Sequence, residues 1–316
     1  MSNISRIFRT KMADPAVRVS RRFPSRLSIP SSVSSYVILF LLWHGCTAVA
    51  LAEVLSNPFF AMDTGTHDAT HKTPEDQVAL ARETGFAGVG PTYRNDPDLQ
   101  QWITACDKYH EKLFALYMPL QLDDVSGSLK SIQKAAEALH GRETLLWLFV
   151  TDKENQPSAT NHDAEAVLAL QEVAQIAKNA GLRVALYPHM GVYVQRVEDA
   201  VRLVEKTRRD NVGVTFNLCH WLKVDGKDLN ATLDTAQKHL FCVTLNGADT
   251  GGTSWKQLIQ PLDQGTYDVK PLLAKLHAMN YPGPVGLQLY GVGGDAGANL
   301  KHSMEAWKKL TDPTSP

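Results

Sequence analysis

Residues Val184 to Asn217, VALYPHMGVYVQRVEDAVRLVEKTRRDNVGVTFN, are the stretch that decides the fold. A short apolar run, Val184–Tyr187, is followed by a helical repeat of apolar residues over Val194–Thr207 and by a second apolar run, Val212–Asn217. Apolar runs of this length without polar alternation are typical of parallel strands that are covered on both faces. The stretch therefore predicts one strand–helix–strand unit of a parallel α/β protein.

The same unit recurs along the chain from about Asn57 onward. The predicted strands are Phe59–Met62, Ala87–Gly90, Leu113–Tyr117, Leu145–Val150, Val184–Tyr187, Val212–Asn217, Leu240–Leu245 and Val285–Tyr290. The predicted helices are Pro74–Glu83, Pro97–His110, Ser128–Leu139, Asp163–Ala180, Val194–Thr207, Leu229–Lys238, Val269–Met279 and Asn299–Leu310. Such a series of strand–helix units favours a single closed (β/α)8 barrel, with an open doubly wound sheet as the alternative.

The first 52 residues have the pattern of a signal peptide. A long basic segment precedes an apolar run, and the small residues Ala50 and Ala52 mark a cleavage site before Glu53. The apolar run is shorter than the ~20 residues of a membrane-spanning helix, which favours cleavage over anchoring. We therefore expect a leader over residues 1–52, starting at Met1 or Met12, and an exported barrel over residues 53–316 in the periplasm or outside the cell. Only an uncleaved leader would attach the protein to a membrane.

The charge balance and the motifs exclude several classes of function. The 32 Lys and Arg residues against 33 Asp and Glu residues give a formal net charge of -1, which provides no broad attraction for nucleic acid. No glycine-rich phosphate-binding fingerprint is present in the sequence. We expect a small-molecule partner and no nucleic acid, and the sequence does not indicate an oligomeric state.

Polar and aromatic residues follow almost every predicted strand at its carboxyl end, where ligands bind in barrels of this class. They are Asp63, Tyr93, Tyr117, Asp152, Tyr187, His189, Asn217, His220, Asn246, Asp249, Gln288 and Tyr290. Amides, imidazoles and phenols bond to sugar hydroxyls and stack on sugar rings while carrying little net charge. The pattern predicts a sugar-sized polar pocket, in which Asp63 and Asp152 are expected as loop and cap residues. The long connection from Asn246 to Val269 is expected to cover the pocket mouth.

Four segments carry a resemblance to a known superfamily: Val184–His189, Asn211–Leu222, Val243–Asp249 and Gly283–Tyr290. They resemble the xylose-isomerase-like TIM barrels, which include sugar (phosphate) isomerases and epimerases and metal-dependent endonucleases. The resemblance covers roughly residues 57–310, and the chain looks most similar to an exported subgroup typical of planctomycete-like bacteria. It implies a sugar isomerase or epimerase on a TIM barrel.

The departures from the superfamily pattern concern its metal site. Relatives usually bind a divalent ion through Glu, Asp, His and Glu on the fifth to eighth strands. The matching positions here hold Tyr187, Asn217, Thr244 and Gln288, whose neutral groups bind Mg²⁺ or Mn²⁺ poorly. His220 keeps the register of the usual Asp-x-x-His pattern. We predict no metal and no cofactor; Mn, Mg or Zn stays open as an alternative, with zinc held by His189, His220 and Asp249.

Two hypotheses for the function follow. In the first, a sugar isomerase, epimerase or keto-sugar lyase-like enzyme uses His189 and His220 as acid and base, with Asp249 orienting one of them. Its substrate-binding residues would be Tyr187, Asn217, Asn246, Gln288 and Tyr290. In the second, the pocket binds a carbohydrate without catalysis. An endonuclease is disfavoured because the sequence shows neither a carboxylate cluster nor a basic groove, and export favours a non-phosphorylated sugar or keto sugar as the ligand.

Overall fold

The computed structural model describes residues 55–224 and 226–312, so the predicted signal peptide lies outside the described residues. Nine strands form one parallel sheet: β1 Phe59–Met62, β2 Gly88–Gly90, β3 Lys112–Leu113, β4 Ala115–Gln121, β5 Leu145–Thr151, β6 Arg183–Leu186, β7 Val212–Asn217, β8 Leu240–Leu245 and β9 Val285–Leu287. The α-helices are α1 Asp63–Thr66, α2 Pro74–Glu83, α3 Asp96–Tyr109, α4 Val125–Ala138, α5 Asp163–Asn179, α6 Val197–Thr207, α7 Leu218–Val224, α8 Leu229–Ala236, α9 Trp255–Leu258, α10 Lys270–Ala278 and α11 Ala296–Thr311. None of these helices is long and apolar enough to cross a membrane.

The sheet curls into a nearly closed barrel. Its neighbour order is β3-β2-β1-β9-β8-β7-β6-β5-β4, and β3 and β4 are pieces of one strand that is interrupted only at Phe114. The Phe114 N–H donates to the Val89 carbonyl at 2.8 Å and the Tyr117 N–H donates to the Pro91 carbonyl at 2.9 Å. These bonds continue the ladder from β2 to β4. The predicted (β/α)8 TIM barrel is confirmed, with the third strand split in two.

Two differences from the predicted elements shape the candidate site. The last strand ends at Leu287, and three residues later the Tyr290 N–H donates to the Gln288 side-chain oxygen at 3.0 Å. The residues after β7 form the unpredicted helix α7, whose His220 N–H is capped by the Asn217 side-chain oxygen at 3.2 Å. Both changes turn a strand-end amide toward the protein backbone.

The barrel interior is filled mainly by aromatic side chains. The Phe60 ring stacks on Phe114 at 5.1 Å and meets Trp147 edge-on at 6.1 Å. The strands on either side of β1 carry glycines here: a Cβ at Gly90 would lie 2.7 Å from the Phe60 ring, and one at Gly286 would lie 2.6 Å from it. The interior therefore has room for Phe60 only because these two neighbours lack side chains.

We expect Gly286→Ala to lower the free energy of unfolding by about 1–3 kcal/mol, because the added methyl group overlaps the Phe60 ring. Phe60→Leu should relieve the overlap, so the double variant should lose less stability than the sum of the two single variants. Gly293→Ala is the matched control, since no atom lies within 4 Å of its added Cβ. Denaturant unfolding is measured for the wild type and the four variants, and additive losses in the double variant would contradict the overlap.

Candidate functional site

A cavity of about 420 Å³ opens at the carboxyl end of the barrel. It is lined by Met62, Thr64, Thr92, Tyr117, Tyr187, His189, His220, Trp255, Ile259, Gln288 and Tyr290. This volume lies in the ordinary range of small-molecule pockets. Of the predicted site residues, the structure brings Tyr187, His189, His220, Gln288 and Tyr290 to this cavity, and Tyr290 lies exposed among its lining residues.

The two histidines face each other and are held by one residue between them. Their ring centroids are 4.0 Å apart. The His189 Nδ1 lies 2.9 Å from the Met190 carbonyl oxygen, and the Met190 N–H points to the His220 Nδ1 at 3.4 Å. Gly191 follows with φ +86°, a left-handed conformation that lets the chain reverse directly after Met190.

These backbone contacts fix opposite tautomers in the two imidazoles. A carbonyl oxygen only accepts, so the His189 Nδ1 carries its proton and the Nε2 keeps a lone pair. A backbone N–H only donates, so the His220 Nδ1 is the acceptor and the neutral ring carries its proton on Nε2. The cavity therefore contains one imidazole that accepts a proton at Nε2 and one that donates a proton from Nε2.

Burial keeps both rings neutral. Desolvation lowers the pKa of His189, against the smaller opposing effect of the Met190 carbonyl. Desolvation, and then the neighbouring His189, hold the pKa of His220 well below its ordinary value of 6.5. A neutral pair at pH 7 is the form in which the tautomers complement each other, because a protonated ring donates from both nitrogens.

Tyr187 lies at the centre of the cavity floor. It is 1% exposed and packs edge-on against Trp147, Tyr117 and His220, with ring centroids at 4.7, 5.0 and 5.8 Å. Its hydroxyl oxygen accepts from the Asn217 side-chain amide and, at 3.4 Å, from the Gln288 side-chain amide. Desolvation raises the pKa of Tyr187 well above its ordinary value, so the phenol keeps its proton.

Asn217 and Asn246 were predicted to bind substrate, and the structure gives both amides partners within the protein. The Asn217 oxygen accepts from the Cys219 thiol and from the His220 N–H, and its nitrogen donates to Tyr187. Asn246 is fully buried and donates 2.7 Å hydrogen bonds to the carbonyls of Gly247 and Leu258. Neither amide lines the cavity.

The long connection after β8 contributes to the lining of the cavity. Its short helix α9 brings Trp255 and Ile259 to the lining, and Trp255 meets His220 edge-on at 5.3 Å. A bridge between Gly247 and Gln260 and the buried Asn246 amide hold this connection in place. Trp255 was missed as a site residue because the sequence does not reveal how a loop of this length folds back.

Asp249 does not meet the histidines. It lies half-buried in the same connection, where its N–H donates to the Gln257 carbonyl at 2.7 Å, and it does not line the cavity. The Nδ1 atoms of both histidines contact the Met190 backbone, and the role predicted for Asp249 stays a prediction. Asp63 is the buried first residue of α1 and its carboxylate accepts from the Thr92 N–H, whereas Asp152 lies in the loop after β5 and accepts from the Glu154 N–H.

Of the four positions that the resemblance matches to metal ligands, Tyr187, Asn217 and Gln288 do not present groups that fit a divalent cation, and the fourth, Thr244, offers only a neutral, buried hydroxyl without a hydrogen-bond partner among the described residues. Backbone N–H groups occupy the side-chain oxygens of Asn217 and Gln288, so both amides turn N–H groups toward the Tyr187 hydroxyl. A cation would meet these donors and a protonated phenol instead of anionic oxygens. No group of three or more His, Cys, Asp or Glu side chains within the described part of the chain is arranged to hold a metal ion.

The model of the xylose isomerase-like TIM barrel family matches residues 78–310. The chain belongs to this family. The match covers more than half of the sequence and includes both histidines, Tyr187 and Gln288. A search of curated protein sequences found no match.

Solved structures of the same fold include three with TM-scores between 0.61 and 0.65. The E. coli 3-keto-D-glucoside 4-epimerase YcjR has 17% identity and a TM-score of 0.61 over 79% of this chain and 98% of its own. A D-allulose 3-epimerase from Methylomonas sp., in complex with D-allulose, has 13% identity and a TM-score of 0.65 over 82% of this chain and 99% of its own. A fusion of a xylose isomerase-like TIM barrel with 4-hydroxyphenylpyruvate dioxygenase has 18% identity and a TM-score of 0.64, and matches 80% of this chain but 42% of its own. Identities this low establish the shared fold alone.

We expect acid to destabilise the protein through His220. Its pKa is lower in the folded chain than in the unfolded one, so the unfolded chain binds the proton first as the pH falls. The full contribution to stability is present above about pH 6.5 and is lost as the pH falls toward the folded-state pKa. His220→Asn keeps an acceptor for the Met190 N–H and cannot titrate. Urea unfolding at about pH 7 and pH 5 should show a smaller loss for this variant than for the wild type; equal losses would contradict the burial argument.

Proposed function

We propose that the chain is a sugar isomerase- or epimerase-like enzyme that acts on a non-phosphorylated sugar or keto sugar by histidine acid/base chemistry. The observation that carries the proposal is the pair of imidazoles of opposite tautomer, 4.0 Å apart, in a cavity of about 420 Å³. Membership of the xylose isomerase-like family and the sugar epimerases among its structural neighbours support an enzyme in general.

The tautomers assign a role to each histidine. The His189 Nε2 lone pair takes the proton from the carbon next to the substrate carbonyl, and the electron pair of that bond moves toward the carbonyl oxygen. The His220 Nε2–H donates to the oxygen on the carbon that has lost its proton. A proton from water that reaches the opposite face of the same carbon gives the epimer, and His189 then releases the proton it took to water. Return of the proton from His189 to the former carbonyl carbon gives the isomer, provided that the hydroxyl proton on the deprotonated carbon moves to the former carbonyl oxygen.

The cavity lining supports a neutral substrate. It contains no Asp, Glu, Lys or Arg among the described residues, so it offers no cation for a phosphate group. The rings of Tyr117, Tyr187 and Trp255 provide faces and edges for a sugar ring. The proposed export of the protein through its leader points the same way, because neutral sugars and their oxidised derivatives are the ligands expected outside the cytoplasm.

A carbohydrate-binding barrel without catalysis is the second candidate. It is favoured by the positions that the resemblance matches to metal ligands, because Tyr187, Asn217, Thr244 and Gln288 include no carboxylate. Binding requires only the aromatic walls and the hydroxyl and amide groups of the cavity. The two candidates differ in one property, which is turnover of a bound sugar.

We expect the wild-type chain to epimerise or isomerise at least one member of a panel that contains D-allulose, a 3-keto-D-glucoside and other neutral ketoses. His189→Asn keeps a side-chain N–H donor for the Met190 carbonyl and removes the Nε2 base. His220→Asn replaces the Nδ1 acceptor with the amide oxygen and removes the Nε2–H. Each variant should lower kcat by about 100-fold to 10,000-fold with little change in stability at pH 7. Proton exchange with deuterated water, followed by NMR, measures the turnover.

Turnover that survives both asparagine substitutions would overturn the acid/base assignment. Binding of the panel sugars without turnover or deuterium exchange in the wild type would favour the binding barrel. A thermal-shift response to phosphorylated sugars with none to their neutral counterparts would contradict the substrate class. Thermal melts of both variants check that each is folded.

A further inference from the structure

The hydroxyl of Tyr187 is surrounded by donors. Two amide N–H groups, from Asn217 and Gln288, point to its oxygen. A phenol oxygen has one proton to donate and accepts up to two hydrogen bonds. Both accepting positions of Tyr187 are therefore used by the protein.

The nitrogen and the oxygen of each side-chain amide cannot be exchanged, because backbone N–H groups fix the position of both oxygens. The Asn217 oxygen accepts from the His220 N–H at 3.2 Å, and the Gln288 oxygen accepts from the Tyr290 N–H at 3.0 Å. Backbone N–H groups only donate, so a reversed amide would place donor against donor at both residues. The Thr64 hydroxyl, 2.6 Å from the Gln288 oxygen, also donates to it.

The proton of the Tyr187 hydroxyl is left without an acceptor among the described residues. A buried hydroxyl proton without a partner is unfavourable, and in native proteins such groups are nearly always satisfied. Tyr187 lines the cavity, next to His189 and His220, so a ligand in the cavity is the available acceptor. The acceptor cannot be a cation or a second donor. It must carry a lone pair, as the oxygen of a sugar carbonyl or hydroxyl does.

We propose that the Tyr187 hydroxyl binds the carbonyl oxygen of a keto sugar as a neutral hydrogen-bond donor. The inference rests on the proposed function and names the group that holds the reacting carbonyl. The N–H groups of the two amides occupy the lone pairs of the Tyr187 oxygen. The hydroxyl proton is therefore left to donate to the carbonyl oxygen of the ligand. The two amides also polarise the hydroxyl, because chains of hydrogen bonds strengthen one another.

The electron balance of the proposed step needs no metal ion. The His189 Nε2 removes the proton from the carbon next to the carbonyl, a carbon–carbon double bond forms, and the carbonyl oxygen becomes an enolate oxygen. The Tyr187 O–H shortens its hydrogen bond to that oxygen and keeps its proton. The His220 Nε2–H donates to the other oxygen, which is bound to the carbon that has lost its proton. Placing a fixed donor where charge develops is an established way to stabilise a transition state.

Binding of a ring ketone tests the inference without relying on turnover. The probe is a pyranoside with one ring ketone, isotope-labelled at the carbonyl, and its partner is the same pyranoside with the ketone reduced to an alcohol. We expect the wild type to bind the ketone and to shift its carbonyl infrared band to lower frequency. All measurements contain a chelator, so that no metal ion contributes.

Two variants separate the hydrogen bond from the presence of the ring. Tyr187→Phe removes the hydroxyl and should abolish the band shift and weaken ketone binding by about threefold to tenfold. Gln288→Glu keeps the phenol and gives its proton a carboxylate acceptor inside the protein, so it should abolish the shift as well. Tyr281→Phe is the matched control: it removes a buried hydroxyl that donates to the Pro284 carbonyl, and it should leave the shift unchanged.

The outcomes distinguish this inference from the proposed function. A band shift that depends on Tyr187 in a protein without turnover supports the inference and contradicts the enzyme. Turnover in the wild type with the same shift in Tyr187→Phe supports the enzyme and overturns the inference. A wild type that binds the alcohol as tightly as the ketone, with no shift, also overturns it.

Discussion

One residue, Met190, holds the candidate site together through its backbone. Its carbonyl and its N–H reach the Nδ1 atoms of two different histidines, and because one group accepts and the other donates, the rings are forced into opposite tautomers. The contact depends on a turn that reverses at Gly191 and on the helix start that presents His220. An imidazole base beside an imidazole donor is thus a product of local backbone geometry, and no carboxylate is needed to orient either ring.

Neighbouring backbone groups orient the two side-chain amides at the strand ends. Asn217 and Gln288 each use a side-chain oxygen to hold a backbone N–H and direct a side-chain nitrogen to Tyr187. Both residues stand at positions that the resemblance matches to metal ligands. They present hydrogen-bond donors, whereas a cation would require acceptor oxygens, and donors suit an uncharged ligand oxygen.

The sequence predicted the barrel well because its strands are continuous apolar runs. Val212–Asn217 and Leu240–Leu245 agree with the structure at both ends. The sequence could not predict how the Gln288 amide is oriented, because that depends on one hydrogen bond from the Tyr290 N–H. It identified the two histidines by their place at strand ends. It gave no signal for Met190, because the contacts of that residue come from backbone atoms that every residue type carries.

Nitrogen NMR of the two imidazole rings distinguishes the tautomers directly. The measurement uses labelled histidine in the full chain near pH 7, with His189→Asn and His220→Asn to assign the signals. The geometry predicts a neutral His189 with its proton on Nδ1 and a neutral His220 with its proton on Nε2. The same tautomer in both rings, or a protonated ring at this pH, would contradict the histidine pair as an acid and base.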